Sequence, residues 1–299
     1  MVSIVVVTRA ALLIARRASS WTVDEHLGGQ SPQCVVVDRR RPTQVYCGTA
    51  RDGLFRSRDS GRNWEPVGPG IDHPMVTAVD VGHAEQVDGL GIVYAGTEPS
   101  ALFRSDNGGD SWMDLAGLRA LPSADTWSFP PRPDTHHVRW IEADASFADH
   151  VFVAIEAGAL VRTFDRGRTW RDRIRGGPYD THTAATHPLA AGRVYSAAGD
   201  GYFESTDAGD SWRSPEDGIE TPLPRGRCRG SGGSRYRDRV RNIRPGVHIF
   251  AGAGRGVRLS EDWAEAMGAC NERPAGGEGH DGGPVCHSCW RTRRHLRRQ

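Results

Sequence analysis

Two short segments carry acids and imidazoles close enough along the chain to act together in catalysis or ligand binding. The first reads Asp134-Thr135-His136-His137-Val138-Arg139, and the second reads Tyr179-Asp180-Thr181-His182. An imidazole beside a carboxyl group can transfer protons or bind a divalent ion, and Arg and His together can bind an anion or a sugar. The candidate ligand-binding residues are His136, His137, Arg139 and His182, and the candidate catalytic residues are Asp134, Tyr179 and Asp180. The alternative is structural: Asp caps the turn before a strand, and His fills space.

A second candidate site lies near the end of the chain, where Cys286-His287-Ser288-Cys289 has the spacing of half a zinc site. Zinc sites of this kind use a second matched pair, which the sequence lacks. We therefore keep Cys286 and Cys289 as candidate ligands while predicting no bound metal and no cofactor. The rival explanation is a disordered or frame-shifted tail.

Composition excludes several classes of enzyme. All 38 basic residues are Arg, and a chain without Lys cannot use Schiff-base or P-loop chemistry. The charge is uneven, with 22 Arg and 30 acids in residues 1–221 against 16 Arg and 7 acids in residues 222–299. An Arg-rich end can bind nucleic acid, but residues 225–245 contain one aromatic residue, Tyr236. We therefore expect an irregular Arg/Gly-rich insert there.

A sequence repeat supplies the strands and turns on which the two segments lie. Four octets share the pattern Ser/Thr-x-Asp/Asn-x-Gly-x-x-Trp, and a fifth copy is degenerate. Their defining residues are Ser57, Asp59, Gly61 and Trp64; Ser105, Asn107, Gly109 and Trp112; Thr163, Asp165, Gly167 and Trp170; Ser205, Asp207, Gly209 and Trp212; and Ser260 and Asp262. In such a turn the acid accepts backbone hydrogen bonds, Gly takes a positive φ, and Trp packs between units. We therefore predict a structural role for these acids.

Each octet ends a unit of four short strands. An aromatic residue in the second strand precedes the octet's last position by 17 or 18 residues, and the Trp-to-Trp intervals are 48, 58 and 42 residues. Units of about 40–50 residues with four strands are typical of β-propeller blades. The predicted fold is therefore all-β, a β-propeller of six or seven four-stranded blades. Residues 5–7 and 12–14 would belong to a further unit that lacks its first strand.

The octets resemble the Asp-box, or BNR repeat, of the sialidase-like propeller superfamily, over roughly residues 5–267. The resemblance implies blades with Asp-box turns in a group that includes sialidases, xyloglucanases, sorting-receptor ectodomains and photosystem assembly factors. Sialidases also share an Arg-Ile-Pro segment, and the nearest match here, Arg173-Ile174-Arg175, lies mid-chain without Pro. We therefore predict a binding or scaffold protein without a catalytic set. The alternative is a sialidase-like glycoside hydrolase acting at the mouth of the central channel.

The remaining expectations concern boundaries and surroundings. The propeller should span residues 1–267, followed by a disordered or aberrant tail over 268–299. The partner is expected at the channel mouth as a small molecule, glycan or protein, with the two Asp-Thr-His segments at equivalent positions of adjacent blades. No segment approaches the roughly 20 apolar residues of a membrane-spanning helix, and Arg9 interrupts the N-terminal apolar run. We expect a cytoplasmic rather than secreted protein that binds neither membrane nor nucleic acid.

Overall fold

Short antiparallel strands form most of the regular structure in residues 2–215, which are the residues that the computed structural model describes. The strands, numbered in chain order, are β1 (Val2–Val7), β2 (Leu12–Arg17), β3 (Trp21–His26), β4 (Pro32–Val37), β5 (Val45–Thr49), β6 (Leu54–Ser57), β7 (Glu65–Pro66), β8 (Met75–Val87), β9 (Leu90–Glu98), β10 (Leu102–Ser105), β11 (Met113–Asp114), β12 (Val138–Ala143), β13 (Val151–Ile155), β14 (Ala159–Thr163), β15 (Thr181–Thr186), β16 (Val194–Ala198) and β17 (Gly201–Ser205). Two short 3-10 helices, Ala116–Ala120 and Ala124–Thr126, lie between β11 and β12. Within residues 2–215 no helix is long and apolar enough to cross a membrane.

The strands form five small sheets that follow one another along the chain. They contain β1–β3, β4–β7, β8–β11, β12–β14 and β15–β17, each with sequence neighbours paired antiparallel. Isolated bridges between Arg162 and Arg171 and between Glu204 and Arg213 add a fourth segment to the last two sheets. The strands β4, β8, β12 and β15 lie side by side, and β1 contacts β4. The fold is therefore all-β with several small antiparallel sheets, which confirms the fold class at that level.

Several predicted features fall outside the described residues. They are the degenerate octet with Ser260 and Asp262, the insert over 225–245, the tail over 268–299, and the candidate zinc ligands Cys286 and Cys289. The first sheet does fall inside, and its β1 and β2 cover the two apolar runs that the sequence assigned to a unit without its first strand.

The apolar core lies between neighbouring sheets rather than within one of them. In one cluster Tyr46 and Leu54 from the second sheet pack with Val76 and Val93 from the third, and the octet residue Trp112 packs against them. Trp170 and Trp212 pack in the same way against the clusters of the sheets that precede theirs. Each of these three rings therefore joins its own sheet to the preceding one.

The octet glycines lie at the same contacts. Gly167 has a φ of +87°, and a Cβ at this position would lie 2.6 Å from Cδ1 of Leu115, a buried residue between the third and fourth sheets. An L side chain there would meet both backbone strain and a steric clash. Gly is therefore required by the turn and by the packing of one sheet on the next.

Two carboxyl groups connect the first strands of adjacent sheets. Oδ2 of Asp80 on β8 accepts the Ala143 amide of β12 at 2.9 Å, and Oε1 of Glu142 on β12 accepts the Thr186 amide of β15 at 2.8 Å. Burial, followed by the charge of Asp80, raises the pKa of Glu142 to about 8. Burial also raises the pKa of Asp80. These side chains fix the lateral spacing of the first strands β8, β12 and β15.

One hairpin is longer than the repeat predicts. The strands β8 and β9 extend to a two-residue turn at Asp88 and Gly89, which have φ values of +51° and +75°. Positive φ at both central residues is the geometry of a type I′ turn, for which Asp-Gly is a favoured sequence. The pairing continues past the usual strand end because this turn matches the twist of the two strands.

Candidate functional site

In four of the sheets, the first strand has a β-bulge near its start. The bulge determines which side chains lie at that end of the strands, which we call one edge of the sheets. The pairing shifts between Pro32 and Cys34, Val76 and Ala78, Val138 and Trp140, and Thr181 and Thr183. The extra residues are Gln33, Thr77, Arg139 and His182. Because a bulge re-aims the side chain of its extra residue, Arg139 and His182 hold equivalent positions on the adjacent strands β12 and β15.

Glu156, the first residue after β13, lies at the centre of the site. Its Oε2 accepts a hydrogen bond from Nε2 of His137 at 2.8 Å and lies 3.5 Å from Nε of Arg139. Its Oε1 lies 3.8 Å from Nε2 of His182. One carboxylate therefore connects side chains from β12 and its preceding segment with one from β15.

Asp180 provides the second carboxylate. Its Oδ1 accepts the backbone amide of Ala157 at 2.9 Å and lies 3.5 Å from Nε2 of His182. The amides of Tyr179 and Asp180 each donate to the carboxylate of Asp200, both at 3.1 Å. These bonds tie the segment before β15 to the turns after β13 and β16, so the position of Asp180 is fixed by two neighbouring turns.

The charges around the two carboxylates lower both of their pKa values. For Glu156, burial opposes ionisation, but the hydrogen bond from His137 and the charge of Arg139 outweigh it. For Asp180 the hydrogen bond from His182 is the largest effect, and burial opposes it. Both groups therefore favour the ionised form. We call the set Glu156, Asp180, His182, His137 and Arg139 the edge cluster.

A second layer packs behind the edge cluster. The ring of Phe129 meets the ring of His137 edge-on with centroids 4.9 Å apart, and Trp127 meets His136 in the same way at 5.6 Å. Oε2 of Glu98 lies 3.7 Å from Nδ1 of His137 and accepts from Arg132 at 2.7 Å. The aromatic segment before β12 thus orients the imidazole that contacts Glu156.

The structure brings together four of the residues that the sequence singled out, namely His137, Arg139, Asp180 and His182.

The other three predicted residues lie outside the edge cluster. His136 is one of them, and its burial against Trp127 lowers its pKa. Asp134 is exposed in the turn before β12. Tyr179 is 44% exposed, with its ring under the guanidinium of Arg173 at 5.4 Å.

The predicted equivalence of the two Asp-Thr-His segments is wrong. Val138 pairs with Ile155 just before its bulge, and Thr181 pairs with Ala198 just before its own. Thr181 is therefore equivalent to Val138, which makes Asp180 the counterpart of His137 and leaves Asp134 three residues away from that position. The short motif repeats by sequence, but the hydrogen-bond register of the strands assigns its residues to different places.

Sequence reasoning missed Glu156, Glu98 and Asp200. Thr97 pairs with Val76 and Ile155 pairs with Val138, and these two pairs are equivalent because each stands just before a bulge. Glu98 follows Thr97 and Glu156 follows Ile155, so the two glutamates are equivalent as well. A comparison of the residues that end the second strand of each unit could have found this pair. Asp200 had no such signal, because its role depends on the backbone amides that it accepts.

The octet acids lie at the opposite edge of the sheets, where the third strand of each unit ends. Oδ1 of Asp207 accepts from the Ser205 hydroxyl at 2.7 Å and from the Ser211 amide at 2.9 Å. Asp59 and Asp165 make the corresponding bonds to residues two and four positions from them. The hydrogen bonds from Ser211 and Ser205 lower the pKa of Asp207 to about 2. These acids are occupied inside their own turns.

The chain matches no protein-family model and no curated protein. Among solved structures, the GH74 xyloglucanase from Xanthomonas campestris is 18% identical, covering 69% of this chain and 34% of that one, with a TM-score of 0.50. An ancestral GH74 enzyme is 20% identical over 63% of this chain and 24% of its own, and YCF48 bound to D1 peptide is 16% identical over 71% and 63%, each with a TM-score of 0.47. The chain thus spans less than two thirds of each of these proteins. All three are β-propeller folds. At 18% identity, the likeness to the Xanthomonas enzyme concerns the fold alone.

Proposed function

We propose that this protein is a β-propeller of the Asp-box, sialidase-like type, with six or seven four-stranded blades, that binds a ligand at the edge cluster. Five successive sheets support the propeller arrangement, since β4, β8, β12 and β15 lie side by side and β1 contacts β4. The octet turns support the Asp-box type, because the same hydroxyl-to-acid and acid-to-amide bonds recur in them. The ligand is a small molecule, a glycan or a protein segment.

The convergence of polar side chains at the edge cluster carries this proposal. Glu156, Asp180, His182 and Arg139 come from two sheets, are partly exposed, and are held by contacts behind them. Binding sites are made of few polar groups fixed by a rigid scaffold, because the fixed groups lose little conformational entropy when a ligand binds. The bulges at Arg139 and His182 supply that rigidity from strands rather than from long loops.

One observation favours a second candidate, a glycoside hydrolase. A carboxylate oxygen of Glu156 lies within 4.8 Å of a carboxylate oxygen of Asp180. Retaining glycosidases place their two carboxyl groups about 5 Å apart. Such an enzyme also needs one carboxyl group that stays protonated to protonate the leaving group. Each of these carboxylates instead faces an imidazole, and Glu156 also faces a guanidinium. This environment favours binding over hydrolysis.

A panel of chromogenic glycosides that includes a sialoside tests the two candidates. We expect no turnover by the full chain above that of buffer. Turnover that disappears in Asp180→Ala, with the fold of the variant unchanged by circular dichroism, would establish the hydrolase and remove the binding proposal.

A glycan array and a peptide array provide the positive arm of the test. We expect the full chain to bind at least one class of probe on the arrays, and we expect Arg139→Ala to abolish that binding. Asp134→Ala is the matched control, because Asp134 lies on the same segment but outside the edge cluster. Equal retention by both variants would contradict the assignment of the site.

A further inference from the structure

We propose that Glu156, Asp180 and His182 bind one divalent transition-metal ion of the zinc type, which forms part of the ligand-binding surface. This inference rests on the proposed binding function, since it concerns the edge cluster, and it adds the chemistry of the site. One carboxylate oxygen of Glu156, one of Asp180 and one ring nitrogen of His182 lie within 4.8 Å of one another. We assign the donors as Oε1 of Glu156, Oδ1 of Asp180 and Nε2 of His182, because these atoms make the close contacts between the three side chains.

The separations of the donor atoms suit a small ion. Zinc binds His nitrogen and carboxylate oxygen at about 2.0–2.2 Å, so two donors of a tetrahedral site lie roughly 3.4 Å apart. Nε2 of His182 lies 3.5 Å from Oδ1 of Asp180 and 3.8 Å from Oε1 of Glu156. A carboxylate movement of a few tenths of an ångström would therefore bring both of these distances to the separation that a bound ion requires.

The two oxygens of Glu156 have separate partners. His137 donates to Oε2, and Arg139 lies beside the same atom, whereas Oε1 faces His182. Metal-binding carboxylates and imidazoles are oriented in this way by hydrogen bonds to the atoms that do not bind the ion. The positive charge of Arg139 is thus directed at the oxygen that the ion does not need.

The second carboxylate is held by the backbone. Oδ1 of Asp180 accepts the Ala157 amide and keeps one lone pair for an ion. Three protein donors leave a fourth tetrahedral position open, as in sites where zinc holds a water or a ligand rather than only stabilising the fold. Two carboxylates also balance the charge of a divalent ion. The open position would face the partly exposed side of the edge cluster, where the proposed ligand binds.

The competing explanation is that His182 contacts the two carboxylates directly, without any ion. Both arrangements satisfy the same distances, so the test must detect the ion itself. Cobalt(II) is a suitable probe, because it substitutes for zinc in nitrogen and oxygen sites and its visible absorption reports the coordination number. The full chain carrying Cys286→Ser and Cys289→Ser removes the other candidate zinc ligands from the measurement.

We expect one cobalt ion per chain, with visible absorption bands typical of four or five ligands, a dissociation constant on the order of 1 µM, and displacement by zinc. His182→Ala and Glu156→Gln should each weaken binding at least 100-fold. Glu156→Gln retains the size of the side chain and an acceptor for His137. This variant therefore tests the site even if His182→Ala does not fold. His187→Ala is the matched control, because this imidazole follows β15 and accepts the Leu189 amide away from the cluster.

Two results would overturn the metal proposal. One is the absence of cobalt binding at concentrations up to roughly 100 µM. The other is binding that Glu156→Gln and His182→Ala leave unchanged in folded protein. Neither result bears on the array experiment with Arg139→Ala, so the ion and the ligand-binding function can fail separately.

Discussion

The two edges of the sheets use carboxylates in different ways. At the octet edge Asp59, Asp165 and Asp207 are satisfied by partners two to four residues away. At the edge cluster, Glu156 contacts a histidine 19 residues before it, and Asp180 accepts an amide 23 residues before it. The first kind of contact forms wherever the local pattern occurs. The second kind requires two neighbouring sheets to be in place, and it gathers partly exposed polar side chains from both of them.

Under the proposed function, the difference separates residues that stabilise the fold from residues that bind a ligand. A turn that satisfies its own acid gains stability and offers nothing to a ligand. A cluster assembled from different sheets keeps polar atoms partly exposed, because no single turn supplies all their partners. Substitutions at the octet edge should therefore change the free energy of unfolding, and substitutions in the edge cluster should change binding.

Gly167→Ala tests the octet edge with the largest expected effect. The new Cβ would lie 2.6 Å from Leu115 Cδ1 at a positive φ, and we expect a loss of about 2–4 kcal/mol in the free energy of unfolding. Urea denaturation measures it. Gly176→Ala is the control, because its φ is +81° with no atom within 4 Å, so it should lose only about 1 kcal/mol. Equal losses would show that the turn does not support the contact between sheets.

Glu142 offers a pH test that extends the comparison to a carboxyl group between sheets. Its folded pKa of about 8 exceeds its ordinary value of 4.5, because it is buried and faces Asp80. The folded state therefore holds a proton that the unfolded state releases, and wild-type stability falls as the pH rises from about 4.5 through 8.

Glu142→Gln lacks this titration and keeps an acceptor for the Thr186 amide. We compare the free energy of unfolding of the variant with that of wild type by urea denaturation at each pH. From pH 5 to pH 9 we expect this difference to shift in favour of the variant by an amount on the order of 1–3 kcal/mol. Asp207→Asn is the control. Because the pKa of Asp207 is about 2, its curve should stay parallel to wild type over this range. Parallel behaviour of Glu142→Gln would contradict the assignment.

Asp207→Ala tests the local hydrogen bonds of the octet. The variant loses acceptors for the Ser205 hydroxyl and the Ser211 amide, so we expect a loss of about 1–2 kcal/mol. Asp207→Asn should lose less, since Asn107 makes the same bonds to Ser105 and Ser111 in the second octet. Thermal unfolding ranks the three proteins. A binding defect in Asp207→Ala without a loss of stability would break the separation of the two edges.

Asp134→Ala has the smallest expected effect. Asp134 is exposed and lies three residues from the position that Asp180 occupies in its unit. We expect a change in stability of less than about 0.5 kcal/mol and unchanged retention on the arrays. A loss of binding on the arrays would return Asp134 to the site.

Periodicity and turn chemistry predicted much of the fold. The apolar runs over residues 5–7 and 12–14 fall within the strands β1 and β2. Strand positions are local properties, because side-chain alternation and turn residues act over a few positions. The long β8–β9 hairpin was missed, since its extent depends on the Asp88-Gly89 turn and on pairing across it.

The candidate site was only partly predictable. Asp180, His182, His137 and Arg139 were found because acids and imidazoles near strand starts are uncommon enough to notice. Glu156 was not, because a glutamate at the end of a strand is an ordinary surface residue in sequence. Its importance comes from the bulges that turn Arg139 and His182 toward it.

The repeat, the all-β class and the octet acids that take part in turns follow from the sequence, because each depends on residues within one unit. The match of Asp180 to His137, and the connection that Glu156 makes between two sheets, become visible only in the folded protein. A repeat aligns residues by their spacing, whereas a bulge shifts the hydrogen-bond register by one residue and moves every later side chain. The chemistry of the edge cluster follows from that register, and the register exists only when the strands are paired.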